Sequence, residues 1–242
     1  NEDQERADSW QMGEHKRLEA ELGFSITGYA THVDTDTRPV IVQELPDVVG
    51  TKIWAGEWML WGAVARELSS NKELTGVKTI IELGAGCGMC GLLLAALGYD
   101  VILSDTRTGY DGAQKTWDNM VRNIEANSLL VAESNGQIKS LELDWTANEN
   151  APQVDLVIGA DIIYEPYLFP ALIDTLRRCS KRAIIIQNIA RAGTATFKEM
   201  CKAECTSFTV NPISPDEFGN KFPMHDGKTG KYEVWFISFD SD

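Results

Sequence analysis

The sequence predicts an α/β protein with a doubly wound, mostly parallel sheet that ends in an antiparallel C-terminal hairpin. From residue 50 onward, short apolar runs typical of strands alternate with helical segments, and this order produces parallel sheets. A glycine-rich loop follows the first of these runs, at the place where such sheets bind ligands. The last two runs are joined by a loop rich in Gly, Pro and Asp instead of a helix, so we expect them to pair antiparallel.

Composition restricts the class of protein. The 242-residue chain is 43% hydrophobic and 24% charged, as in ordinary globular proteins, and its formal net charge is −14. Nucleic-acid binding needs clustered cations, so we expect no nucleic-acid partner and favour a basic protein segment or another cationic ligand. The acidic N-terminal stretch and the glycine-broken apolar runs predict neither a secretory signal nor a membrane helix. Five cysteines predict a reducing, intracellular compartment, and we expect a monomer.

No repeat or linker divides the chain, so we expect one main domain, residues 50–242, after an N-terminal extension, residues 1–49. Within the extension, the charged segment 3–21 predicts a solvated helix. The runs at 24–33 and 38–45 are rich in residues that favour strands, and they predict a β-hairpin.

The main domain is predicted to begin with an apolar helix over residues 53–68, in which Trp54, Trp58 and Trp61 have the helical spacing typical of core packing. The first strand, VKTIIEL, is a nearly continuous apolar run, as expected for burial on both faces of a sheet. Gly98 is placed to end the helix that follows. The predicted strands cover residues 77–83, 100–105, 138–145, 154–161, 182–189, 206–213 and 231–239. The predicted helices between them cover residues 89–98, 111–128, 167–179 and 193–204.

The loop GAGCGMCG, Gly84–Gly91, satisfies three motifs at once. The first is a G-x-G-x-G pattern, and the second is the G-x-G-x-x-G of dinucleotide-binding folds. The third, C-x-x-C, is made by Cys87 and Cys90 and occurs in redox and metal sites. A zinc site needs further ligands, and Cys201 and Cys205 are distant in the sequence, so we expect no metal and two packed cysteines.

The dinucleotide motif would imply NAD and an oxidoreductase. Asp105 lies near the distance expected for an acid that binds ribose. However, the pattern begins at Gly86, late relative to the end of the strand. Glu82 precedes the loop, and no Lys or Arg occurs between Lys78 and Arg107, although a pyrophosphate needs positive potential. The sequence therefore favours a less anionic ligand.

The pattern E-x-G-x-G-x-G, with Glu82 followed by Gly84, Gly86 and Gly88, resembles motif I of the class I methyltransferases, which bind S-adenosylmethionine. Glycines allow the backbone to approach a ligand closely, and the helix N-terminus favours a carboxylate. An acid at position 82 can meet the ammonium group of this cofactor, or it can bond to backbone N–H groups instead. Asp105 ends the second strand, where its two oxygens can accept both ribose hydroxyls.

Three further motifs, GTKIWAGEW, LDW and GADIIY, occur in the order seen in the family-16 protein-lysine methyltransferases. The chain resembles this family from about Gly50 to its end. The resemblance implies a seven-stranded Rossmann-like sheet with an antiparallel C-terminal hairpin, S-adenosylmethionine as cofactor and S-adenosylhomocysteine as product. It also implies a protein substrate methylated on lysine, in the cytoplasm and also the nucleus.

The same resemblance assigns the remaining site residues. Asp161 and Tyr164 match a D-x-x-Y motif and are predicted to be catalytic, although an aspartate before a helix also serves as an N-cap. Trp54, Trp145 and Ala160 are predicted to bind the cofactor, with core packing as the alternative for Trp145.

Several alternatives remain open at the level of sequence. The chain can instead methylate arginine, histidine or a small molecule, or it can be a non-catalytic module that binds S-adenosylmethionine. The segment 106–112 departs from the family pattern. Within it, Arg107 or Tyr110 can reach the ribose or the substrate, unless the segment is only a longer loop.

Overall fold

The computed structural model describes residues 28–30, 40–45, 48–147, 151–213 and 231–240, so the helix predicted over residues 3–21 lies outside it. Its strands are β1 (Gly28–Ala30), β2 (Val40–Val42), β3 (Thr79–Leu83), β4 (Asp100–Asp105), β5 (Gln137–Glu142), β6 (Leu156–Ala160), β7 (Arg182–Asn188), β8 (Ser207–Ile213) and β9 (Tyr232–Ser238). Its α-helices are α1 (Ala55–Ser70), α2 (Met89–Ala96), α3 (Ala113–Glu133), α4 (Phe169–Cys179) and α5 (Thr194–Glu204). Within the described ranges, no helix has the length and apolar character needed to cross a bilayer.

Seven of the described strands form one mixed sheet in the order β5-β4-β3-β6-β7-β9-β8. The strands from β3 to β7 pair in parallel, whereas β9 pairs antiparallel with both β7 and β8. This arrangement confirms the predicted fold class and the antiparallel C-terminal hairpin. The later strand of the hairpin, β9, lies inside the sheet, and β8 forms the edge. Pro212, which has no N–H to donate, lies on β8, where an edge position tolerates it.

The alternating side chains of the strands divide the core into two layers. On β3, Ile80 packs into the layer formed with α1, α2 and α3, whereas Ile81 packs into the layer formed with α4 and α5. In the second layer, Phe197 stacks on Trp235 of β9 at 6.0 Å between ring centroids. Both faces of the central strands are therefore covered, which explains their nearly continuous apolar sequences.

The strand order also determines where a ligand can bind. β3 pairs in parallel with β4 on one side and with β6 on the other, so the carboxyl ends of all three strands meet at one edge. Leu83, Asp105 and Ala160 are the last residues of these strands. The chain changes direction across the sheet between β3 and β6, and such switch points are the usual ligand sites of open α/β sheets.

A ladder of three asparagines on α3 holds β2 against the main domain. Asn119, Asn123 and Asn127 are spaced by four residues and are buried. The Asn127 side chain accepts a hydrogen bond from the Ile41 N–H at 2.8 Å and donates one to the Ile41 carbonyl at 2.6 Å. Asn123 accepts from the Gln43 N–H at 2.9 Å, and Asn119 donates to the Gln43 carbonyl at 2.8 Å. The side chains of α3 thus act as a neighbouring strand for β2 and for Gln43, the residue that follows it.

We expect Asn127→Ala to lower the free energy of unfolding by about 2 kcal/mol, because it leaves the buried N–H and carbonyl groups of Ile41 without partners. Urea denaturation followed by circular dichroism measures the change. Ser128→Ala, at the adjacent exposed position of α3, is the control. Equal stability of the two variants would show that the ladder does not hold β2.

Candidate active site

A glycine loop connects β3 to α2 at the carboxyl edge of the sheet. Gly84, Gly86 and Gly88 have φ angles of 61°, 56° and 77°, in the left-handed region that favours glycine. At Gly86 a side chain is excluded for a second reason, since a Cβ atom there would lie 2.6 Å from the carbonyl oxygen of Gly50. The predicted glycines therefore form a loop that other residues do not fit, and such a loop allows a ligand to approach the backbone closely.

Asp105, at the end of β4, lies directly beside this loop. Its Oδ2 accepts a hydrogen bond from the Gly86 N–H at 2.9 Å, and its Oδ1 accepts one from the Thr106 N–H at 2.8 Å. The Tyr110 hydroxyl also hydrogen-bonds the carboxylate. Burial raises the pKa of Asp105, and these hydrogen bonds partly oppose that rise. A carboxylate offers about four acceptor positions, so it can accept both hydroxyls of a ribose only when Tyr110 turns away.

The segment 106–112 directs its two notable side chains to different places. Tyr110 reaches Asp105, as described above. The Arg107 guanidinium instead lies over the Trp117 ring, 4.4 Å from its centroid, and its Nε is 3.4 Å from Oε2 of Glu142. Of the two, Tyr110 is therefore the residue that the structure brings to the predicted ribose-binding acid.

Glu82 forms a buried carboxyl pair with Glu57 of α1. Glu82 Oε2 accepts a hydrogen bond from the Gly91 N–H at 2.8 Å, and Glu57 Oε1 accepts one from the Cys90 N–H at 3.2 Å. The two carboxyl groups also hydrogen-bond each other. Burial, opposed in part by these hydrogen bonds, raises the pKa of Glu57 to about 7. Burial and the charge of Glu57 raise the pKa of Glu82 well above its usual range.

The pair therefore retains a proton near neutral pH and lies against the first turn of α2. For Glu82, this geometry matches the alternative in which a strand-end acid bonds to backbone N–H groups. Its contact with the ammonium group of a cofactor stays a prediction.

Asp161, the first residue after β6, is held by backbone on both sides. It has a φ of 54°, which is unusual for a residue other than glycine. Its N–H donates to the Ile186 carbonyl at 2.8 Å, and its Oδ1 accepts from the Asn188 N–H at 3.0 Å. Nε of Arg191 is 3.6 Å from the same Oδ1. On the other side, α1 packs tightly against this carboxylate. A Cβ atom added to Gly56 would lie only 2.5 Å from Oδ2 of Asp161.

The N-cap alternative for Asp161 does not describe this geometry. The carboxylate bonds to β7, and the helical turns that follow begin after Glu165 and Leu168, neither of which makes a side-chain cap. Burial raises the pKa of Asp161, whereas the Asn188 N–H and the Arg191 guanidinium lower it. The aspartate is thus a buried, anchored acid at the edge where the ligand is expected.

The other predicted residues lie at the same edge. Tyr164 is 44% exposed and Trp54, at the N-terminus of α1, is 37% exposed, as expected for rings that face a ligand. Trp145 is half-buried and lies close to Gly84. A Cβ atom added to Gly84 would lie 3.7 Å from Cζ2 of Trp145. Ala160 is half-buried at the end of β6.

Sequence reasoning missed three residues of this region. For Glu57 the sequence does contain a signal, because it is an acid in the first turn of a helix and directly precedes the apolar run Trp58–Ala65. Arg191, in the turn between β7 and α5, and Tyr232, whose hydroxyl hydrogen-bonds Asp161, have no local signal in the sequence. They reach the site only because β7 lies next to β6 and β9 lies next to β7.

The two cysteines of the loop are packed side chains. Cys87 and Cys90 are fully buried and free. Burial raises the pKa of both thiols well above the usual range, so they stay protonated near neutral pH. This environment disfavours the thiolate that redox or metal chemistry requires.

The sheet order, the glycine loop and the strand-end acids define a class I methyltransferase fold. The magnesium protoporphyrin IX methyltransferase of Synechocystis, solved with bound S-adenosylmethionine, superposes with a TM-score of 0.54 at 16% identity, over 76% of this chain and 79% of its own. At this sequence identity, the similarity concerns the fold alone.

The sequence comparisons are more specific, because the lysine methyltransferase family model matches residues 35–203. The chain therefore belongs to this family. It is 35% identical over 111 residues to mouse EEF1A lysine methyltransferase 3, and 33% identical over 112 residues to the zebrafish protein N-lysine methyltransferase METTL21A. Each alignment covers 45% of this chain, and the chain spans less than half of these relatives, 43% and 47% of their lengths.

We expect Gly86→Ala to destabilise the protein more than Gly76→Ala. Both glycines have positive φ, so alanine is strained at either position, but only at Gly86 does the new Cβ atom meet backbone, the carbonyl of Gly50. Thermal unfolding compares the two variants directly. We expect the difference in free energy to be about 2 kcal/mol or more. Equal losses would mean that Gly50 moves away without cost.

The wild-type protein is expected to lose stability as the pH rises from 4.5 to about 7, and we expect Glu57→Gln to reduce this loss. Burial raises the pKa of Glu57 from 4.5 to about 7, so the folded protein holds this proton more tightly than the unfolded chain. The resulting stability is complete below pH 4.5 and is lost as the pH rises to about 7. Since one pKa unit corresponds to about 1.4 kcal/mol, the variant should gain up to about 3 kcal/mol over the wild type at pH 8.

Thermal unfolding between about pH 4 and pH 8 tests this expectation. Glu125→Gln, on the exposed face of α3, is the control and should follow the wild type. A Glu57→Gln curve parallel to that of the wild type would show that Glu57 does not carry the buried proton.

Proposed function

We propose that this chain is an S-adenosylmethionine-dependent protein N-methyltransferase that modifies a lysine side chain. The observation that carries the proposal is the anchored, buried carboxyl of Asp161 at the switch point of a methyltransferase sheet, next to the exposed rings of Tyr164 and Trp54. Membership of the lysine methyltransferase family and the names of the related proteins support the same activity.

The residues at the edge of the sheet fit such a cofactor. Gly84 and Gly86 have no side chain of their own to keep a ligand from the backbone, and the carboxylate of Asp105 beside them supports a ribose at this position. Trp145 lies against Gly84, where an adenine ring can contact the indole, and Ala160 lines the end of β6 without a bulky side chain. When bound, S-adenosylmethionine supplies a methyl group on a sulfonium sulfur, which an uncharged amine nitrogen can accept.

Asp161 and Tyr164 act on the amine in this proposal. A lysine has an ordinary pKa of about 10.4, so it must lose a proton to solvent before it can accept a methyl group. The carboxylate of Asp161 hydrogen-bonds the amine and fixes its direction, and alignment of this kind supplies much of the acceleration in a direct displacement. Tyr164 flanks the amine with its ring and hydroxyl.

The net charge of −14 favours a basic segment around the target lysine, since opposite charge accelerates and orients association. The monomeric state, the lack of a nucleic-acid partner, the location in cytoplasm and nucleus, and the domain boundary at residue 50 stay predictions.

Thermal melting with S-adenosylhomocysteine, S-adenosylmethionine and NAD tests the cofactor. A ligand at about 100 times its dissociation constant stabilises the folded protein by roughly 2.7 kcal/mol, so a binding ligand gives a clear shift. We expect the two adenosyl sulfur ligands to stabilise and NAD to have no effect. Stabilisation by NAD alone would refute the assignment of the glycine loop and, with it, that of Asp161 and Tyr164.

Transfer of labelled methyl groups to lysate proteins, followed by amino-acid analysis, tests the reaction and distinguishes lysine from arginine or histidine. We expect Asp161→Asn to reduce transfer by about 100-fold or more while S-adenosylhomocysteine still binds. Asparagine suits this position because it is tolerated at positive φ. Asp118→Asn, at an exposed position of α3, is the control. Equal loss of binding and transfer would place Asp161 in the cofactor site instead.

A further inference from the structure

The active-site acid already has a cationic partner within the chain. Arg191, in the turn after β7, has its Nε 3.6 Å from Oδ1 of Asp161. Its guanidinium carbon lies over the Trp54 ring, 5.7 Å from the centroid. The Asp161 side chain is nearly inaccessible, whereas that of Arg191 is about one-third exposed. One guanidinium thus contacts both the proposed reacting acid and a ring of the proposed cofactor site.

This partner matters because an isolated carboxylate would oppose the reaction. A negative charge next to a lysine stabilises the ammonium form and raises the pKa of the amine. Methyl transfer requires the opposite, an uncharged amine. A carboxylate that is already paired with a guanidinium can still accept a hydrogen bond from the amine, but the net charge that would hold the proton is cancelled.

We propose that Arg191 is a positioning residue of the active site, whose guanidinium is the fixed counter-ion of Asp161, so that an arriving lysine is oriented as an amine and not held as an ammonium ion. This inference rests on the proposed methyltransferase function. It explains why a buried aspartate at the reacting centre has its own arginine within the chain, and why the guanidinium is braced against Trp54, which prevents it from turning freely into solvent.

The other groups that face Asp161 do not take this role. Tyr232 on β9 donates a hydrogen bond, and the Asn188 N–H on β7 donates another, but neither carries a charge. Glu57 on α1 is an acid, and a negative charge raises the pKa of a neighbouring carboxyl group, whereas a positive charge lowers it. Among the described groups that act on this carboxylate, the positive charge belongs to Arg191.

Titration of Asp161 in the cofactor-free protein tests the charge pair without any turnover. Aspartate labelled with 13C at the carboxyl carbon gives a signal that Asp161→Asn identifies. We expect Arg191→Gln to raise the midpoint of this signal by about one pH unit, because removal of a nearby cation disfavours the carboxylate. Arg191→Lys, which keeps the charge, should remain near the wild type. An unchanged midpoint in Arg191→Gln overturns the proposal.

A matched control is provided by Arg177 on α4. It also pairs with an acid, Glu204 at 3.2 Å, and also lies over a ring, that of Phe239 at 5.4 Å. Its side chain is 39% exposed, compared with 35% for Arg191. We expect Arg177→Gln to leave the Asp161 titration unchanged. A shift as large as that of Arg191→Gln would indicate a general charge effect and overturn the proposal.

The pH dependence of methyl transfer to lysate proteins gives the second measurement. In Arg191→Gln we expect the rate of methyl transfer to rise at a pH about one unit higher than in the wild type. The rate should therefore be about tenfold lower at neutral pH and should recover at alkaline pH. Arg191→Lys should restore the wild-type profile. A uniform loss at every pH would indicate a structural role and overturn the inference alone. A wild-type protein that transfers no methyl group at any pH would overturn the proposed function together with it.

Discussion

Carboxyl groups crowd the carboxyl edge of this sheet, and the rest of the site depends on how their burial is compensated. Glu57, Glu82 and Asp161 are buried, and Asp105 is half-buried beside them. A charged group removed from water without partners is strongly destabilising. Each acid is compensated differently: Asp105 by backbone N–H groups, the two glutamates by a shared proton and the start of α2, and Asp161 by an N–H of β7 and the guanidinium of Arg191. The loop conformation, the start of α2 and the turn after β7 are therefore parts of one electrostatic arrangement.

The same edge is connected to the N-terminal strand β2 through a single side chain. Asn123 accepts a hydrogen bond from the Gln43 N–H at 2.9 Å and donates one to the Cys87 carbonyl, also at 2.9 Å. The same amide also donates to the Gln43 carbonyl at 3.3 Å, so Asn123 joins the glycine loop to Gln43, the residue that follows β2. Gly50 adds a second connection through its close approach to Gly86. The segment before α1 therefore contributes to the shape of the glycine loop. Of the predicted site residues, this segment contains Trp54, which directly precedes α1.

The order and type of the elements of the sheet could be predicted because each has a local signal. Apolar runs such as VKTIIEL indicate buried strands, and Gly98, with a φ of 95°, ends its helix as expected. Two features have no such local signal and could not be predicted. One is the position of β9 inside the sheet, and the other is the set of contacts made by Asn123, Glu57 and Arg191. These depend on which elements become neighbours, and sequence periodicity reports only which face is apolar. The spacing of the three asparagines was visible, but a polar stripe does not by itself reveal that a strand lies against it.

The location of β9 between β7 and β8 has a consequence for synthesis on the ribosome. β9 comes later in the chain than every other strand of the sheet, yet it covers the edge of β7 and supplies Tyr232 to the carboxylate of Asp161. While the nascent chain lacks this strand, β7 has an unpaired edge that can pair with other chains. The environment of the Asp161 carboxylate is likewise incomplete at that stage. Completion of the sheet and completion of the surroundings of Asp161 thus both depend on the synthesis of β9.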